Sequence, residues 1–134
     1  MTPSFAGFAF VGVGGALGAM ARYGLHHWLQ RDYPWGTLTA NLVGCLLMGV
    51  LAQLVVSAPW FSHSGWIPEQ HRLLFAVGFC GAFTTLSALV LEMHQFVQRS
   101  EWLHATGYAL VSVVGGFAFF FAGFMLVRAL KAAA

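Results

Sequence analysis

Four apolar stretches, each long enough to cross a lipid bilayer, constrain what this chain can become. They run over residues 5–29, 37–56, 73–97 and 102–130. A spanning helix needs about 20 mostly apolar residues, because the hydrocarbon core is about 30 Å thick. Lipid offers backbone N–H and C=O groups no partner, so each stretch must satisfy its own as a helix. Short polar connections separate them: "QRDYPWG", "SAPWFSHSGWIPEQHR" and "QRSE". Only 7% of the residues are charged, against about 25% in a soluble domain. Such a chain cannot clothe a water-facing surface. The predicted fold class is an all-α membrane protein, a single domain of four transmembrane helices over residues 1–134. Its predicted place is a cell inner or plasma membrane, crossed several times. The first stretch is not read as a cleavable signal, since it lacks a charged leading region and outruns a signal's apolar core.

Several function classes drop out. Cys45 and Cys80 fall within spans and read as small apolar filler. Two cysteines give neither a disulfide framework nor a metal-ligand spacing. The six histidines gather near span ends and form no H-E-x-x-H pattern. No nucleophile–base pair suggests an enzyme. A net charge of +2 is too small to suggest a nucleic-acid partner.

The charges say something about orientation. Arg72, Arg128 and Lys131 share one membrane face; Arg31 and Arg99 share the other, with Arg22 deeper on that side. Orientation follows an excess of Lys and Arg in cytoplasmic loops, and neither face holds a clear excess. The sequence permits insertion both ways round and hence an antiparallel dimer. It equally permits a few dominant positions to select one orientation.

Polar groups inside a span must be satisfied within protein or water, and they mark candidate sites. In the first span, Gly14 and Gly18 form a G-x-x-x-G face for close backbone approach. Arg22 continues that face, either snorkelling to the interface or attracting an anion at the mouth of a pathway. In the second span Thr37, Asn41, Gly44 and Met48 share one face. Asn41 serves there as helix–helix glue or as a donor to an anion. The third span holds Gly78, Gly81, Thr84 and Thr85 near its middle. Glycine costs about 1 kcal/mol relative to alanine in a helix. This cluster is either an interruption that frees carbonyls for a small cation or a packing face on a continuous helix. Glu92, the one acid well inside an apolar span, would pair with an arginine or polar group or face water. Tyr108 and Ser112 set two hydroxyls one turn apart on the fourth span, with Gly115 and Gly116 beyond.

"GALGAMARYG", "GTLTANLVG" and "GFCGAFTTLS" occur in this order in a four-span chain of this length. This resembles the CrcB/Fluc fluoride channels, over nearly the whole chain. The resemblance implies an antiparallel, dual-topology homodimer and passive export of fluoride, which lowers cytoplasmic fluoride toxicity. It also implies a third helix interrupted near its middle. A structural Na⁺ at the dimer centre would be held there by the backbone carbonyls of Gly81 and Thr84. By the same resemblance Asn41 matches the pore asparagine and Arg22 the first-span arginine of the vestibule. Ser87, Tyr108 and Ser112 match hydroxyls of a polar track. Glu92 matches the acid that follows the third-span motif.

Fluoride is small and strongly hydrated, so a pathway must replace its water with donors already in place. Here the chain departs from the family. Leu86 and Leu89 stand where the pattern G-G-x-[ST]-T-F-S-T-F has pore phenylalanines, and leucine has no electropositive ring edge. Ala88 replaces a track threonine, and Gly116 a fourth-span serine. A second reading therefore stands beside the first: a weakly or non-conducting member that needs a partner subunit. A third is a small dual-topology multidrug transporter. Such proteins carry a coupling glutamate in the first span, where this chain has none.

Overall fold

The computed structural model describes residues 4–29, 33–57 and 68–133. Arg31 of the charge count, and the middle of the second connection with Pro59 and His63, lie outside the described residues. Every regular element among the described residues is helical. In chain order they are α1 (Phe5–Leu29), α2 (Trp35–Ser57), α3 (Pro68–His71), a π-helical segment π1 (Arg72–Cys80), α4 (Gly81–Phe83), α5 (Leu86–Gln98) and α6 (Trp102–Ala132). Four runs are long and apolar enough to cross a membrane: Phe5–Leu29, Trp35–Leu54, Glu69–Gln98 and Trp102–Ala132.

The helix ends follow from local chemistry. Ser4 Oγ accepts from Gly7 N at 3.0 Å and so caps α1, meeting one of the amides a helix start leaves unpaired. Pro34, which has no N–H to lose, stands just before α2, and Leu38 N donates to its carbonyl at 3.1 Å. At the end of α5, Glu101 N bonds Phe96 O and Ser100 N bonds Val97 O, both at 2.9 Å. Ser100 adopts a left-handed backbone, φ 61°, the geometry of a Schellman stop that usually recruits glycine.

Two close backbone seams hold the bundle. In the first, α1 lies against π1. A Cβ on Gly14 would strike the Leu74 carbonyl oxygen, and one on Gly18 the Phe79 carbonyl oxygen. From the other side, a Cβ on Gly78 would come within 2.8 Å of Val11 O. Small residues let these backbones meet where lipid provides no hydrophobic drive. In the second seam α2 packs along α6, with Gly49 against Phe120 O and Gly123 against Leu46 O.

The wide turns of π1 end at Gly81, whose N–H still reaches back five residues to Ala76 O. Between α4 and α5 the chain extends for two residues. Thr84 has φ −85°, ψ 155° and Thr85 has φ −152°, ψ 121°. β-Branched threonine suits extended backbone. The Thr85 hydroxyl then accepts from Ala88 N at 3.2 Å and restarts the helix as an N-cap. Near one end, Leu38, Leu89, Phe96, Ala105 and Tyr108 form a buried core shared by α2, α5 and α6.

Candidate functional site

Glu92 lies on α5 inside that core and is 8% exposed. A buried carboxylate is costly unless its oxygens are met. Here Thr37 Oγ1 from α2 donates to Oε1 at 2.6 Å, and the Tyr108 hydroxyl from α6 donates to Oε2 at 2.6 Å. Both carboxyl oxygens are thus met by hydroxyl groups. His26 Nε2 from α1 lies 2.8 Å from the same Thr37 oxygen. All four spans therefore converge on one polar cluster. Of the two partners the sequence left open, the acid has taken polar groups.

An aromatic collar orients Tyr108. Its ring lies edge-on to Tyr33 (centroids 5.7 Å apart, 80°) and to Phe96 (6.1 Å, 71°). Tyr33 sits just outside the spans, where burial pushes its phenol above the ordinary value. One turn beyond Tyr108, Ser112 Oγ is buried and has no hydrogen-bond partner among the described residues. A serine hydroxyl carries one donor and two acceptor sites, so Ser112 offers an unspent donor on the Tyr108 face.

Asn41 meets the extended pair directly. Thr85 N donates to Asn41 Oδ1 at 2.8 Å, and Asn41 Nδ2 donates to Thr85 O at 3.1 Å. The amide thus stands in for a strand neighbour, satisfying both backbone groups of Thr85. Gly44, one turn on, provides the room, since a Cβ there would strike Thr84 Cγ2.

These bonds alter two carbonyls in particular. In an unbroken α-helix Gly81 O accepts from residue 85 and Thr84 O from residue 88. Here the Thr85 amide goes to Asn41 and the Ala88 amide goes to the Thr85 hydroxyl. Gly81 O and Thr84 O have lost their helical donors. Hard oxygen atoms of that kind fit an alkali cation. The Thr84 hydroxyl is turned away, donating to Cys80 O at 2.9 Å.

An open cleft of about 710 Å³ lies beside the cluster, lined in part by Arg22, Tyr23, His26, His27, Thr85 and Ser87. Ser87 Oγ lies 3.1 Å from Thr85 Oγ1. Sequence reasoning named Arg22 and Ser87, and the structure brings them to one cavity. It does not bring Leu86 and Leu89 to a common surface. Leu86 is 73% exposed, whereas Leu89 is 6% exposed and packs in the core. Thr37 and His26 were not assigned a site role from sequence. Thr37 shares a helix face with Asn41, and His26 follows Arg22 by one turn, which was the available signal.

Four apolar spans that converge on a buried carboxyl group and its hydroxyl donors, with an open cleft between α1 and α5 beside them, define a polytopic membrane protein. The model of the family "CrcB-like protein, Camphor Resistance (CrcB)" matches residues 9–124. Similar proteins include a "Fluoride-specific ion channel FluC" of Leptospira interrogans serogroup Icterohaemorrhagiae serovar copenhageni (strain Fiocruz L1-130). It is 39% identical over 122 residues, covering 88% of this chain and 91% of the relative. Another FluC, of Chlorobium phaeobacteroides (strain BS1), is 37% identical over 96% of this chain and 98% of its own length. The "Fluoride-specific ion channel FluC 2" of Listeria monocytogenes serotype 4b (strain F2365) is 40% identical over 81% of both. The chain belongs to the CrcB family, and is a multi-pass protein of the plasma membrane.

Proposed function

We propose that this protein is a fluoride-specific passive ion channel that lets F⁻ leave the cell down its gradient. The names of its relatives support this reading. The observation within the molecule that carries it is the row of buried hydroxyls: Thr37 and Tyr108 on Glu92, then Ser112 with its donor unspent. Arg22 raises the local anion concentration in the cleft. Thr85 and Ser87 line that cleft, and Asn41 Nδ2 keeps a second N–H beyond the one given to Thr85. Ser112 offers a hydroxyl one turn past Tyr108. Each replaces part of the water shell a small anion gives up. Glu92 holds the Thr37 and Tyr108 hydroxyls in place.

The third span acts as an interrupted helix, with Thr84 and Thr85 as the break. Two copies pair antiparallel, in keeping with the even spread of Lys and Arg. When bound, a structural Na⁺ would neutralise the carbonyl dipoles of Gly81 and Thr84 from both copies. Chain assembly tests this part: the dimer should be less stable in detergent when Na⁺ is replaced by choline. Equal stability in the two salts would remove the Na⁺ assignment.

The channel itself is tested by current across a planar bilayer holding equal Cl⁻ and a tenfold F⁻ gradient. Reversal at the fluoride equilibrium potential supports the reading. Reversal at zero, or at the cation potential, sinks it. The 73% exposure of Leu86, where the family has a phenylalanine, favours one alternative, a slow conductor. Drug–proton exchange has no such observation in its favour.

A further inference from the structure

His26 is a titratable side chain that both lines the open cleft and bonds directly to the buried cluster. The bond's direction follows from counting protons. The Thr37 hydroxyl has one hydrogen. That hydrogen is directed at Glu92 Oε1, 2.6 Å away. Toward His26, 2.8 Å away, the Thr37 oxygen can therefore only accept. The hydrogen between them belongs to the ring, on Nε2.

We propose that His26 is a positioning residue for anion passage. It donates from Nε2 to Thr37, which aims the Thr37 hydroxyl at Glu92 and so orders the polar cluster beside the cleft. This rests on the reading of the chain as a fluoride channel. The other ionisable groups facing His26 are Arg22, Tyr23 and His27 from α1, Glu92 of α5 through Thr37, and Tyr108 of α6 bonded to Glu92. From α2 it meets the neutral Thr37 hydroxyl.

The test is initial F⁻ release from liposomes, corrected for protein-free vesicles. His26→Gln, whose side-chain amide replaces the Nε2 donor, should release within about twofold of wild type. His26→Leu should release about fivefold more slowly, the effect of losing one such bond. Nitrogen NMR on labelled protein, with the His26 signal identified by its loss in His26→Gln, should report hydrogen on Nε2 in the neutral ring. An Nδ1–H ring overturns the proposal. So does His26→Leu matching wild type, or His26→Gln as slow as His26→Leu; in both cases the channel reading stands. Absence of release from wild-type protein overturns both.

Discussion

Asn41 spends its oxygen and one amide hydrogen on the two backbone groups of Thr85. This links the candidate pathway to the geometry of the third span in a single side chain. Asn41→Asp removes the donor to Thr85 O and places a fixed negative charge beside Ser87 and the cleft. The expected result is at least about a tenfold fall in F⁻ flux, since a like charge and a lost buried donor act together. Elution at the wild-type volume would exclude misfolding as the cause. Undiminished flux would remove Asn41 from the pathway. Arg22, Asn41 and Glu92 were legible in the sequence because a polar residue inside an apolar span stands out. Their partners were not. Whether Glu92 meets an arginine, water or a hydroxyl depends on how helices far apart in sequence are rotated against one another, and periodicity gives only each helix's own faces.

At the level of elements, glycines decide which helices touch. Gly14 has the Leu74 carbonyl where a Cβ would be, whereas Gly15 has open space within 4 Å. Gly14→Ala should therefore destabilise by about 1–3 kcal/mol, as overpacking does. Gly15→Ala should be neutral or slightly stabilising. Denaturation midpoints in detergent check the pair; equal midpoints would argue against the α1–π1 seam. The G-x-x-x-G face was readable as a contact surface. Its partner, a π-helical stretch, was not, because nothing in "RLLFAVGFC" distinguishes five-residue from four-residue hydrogen bonding. The two leucines also separate here. Leu89→Phe would overpack a core position that is 6% exposed, while Leu86→Phe lies at a site 73% exposed. If the missing ring edge slows conduction, Leu86→Phe alone should raise F⁻ flux severalfold, by about the size of one aromatic-edge contact. Flux unchanged in that variant would separate Leu86 from the pathway.

Across the whole molecule, apolar side chains cover most of the outside. Leu103, Leu110, Phe117 and Leu130 on α6 are each at least 58% exposed, and the polar groups gather where the spans meet. The fold class follows from length and apolarity alone, since each span must bond to itself. The site needed the third dimension: His26, Thr37, Glu92 and Tyr108 stand up to 82 residues apart in sequence and join through bonds of 2.6–2.8 Å. The central claim is that the donors beside this cluster, Asn41, Thr85, Ser87 and Ser112, let fluoride, and not chloride, cross. Liposomes loaded with equal F⁻ and Cl⁻, with purified protein inserted and a potassium carrier to balance charge, measure it directly with two ion-selective electrodes. The account predicts rapid F⁻ release with Cl⁻ retained. Release of both ions together, or of neither, would contradict it.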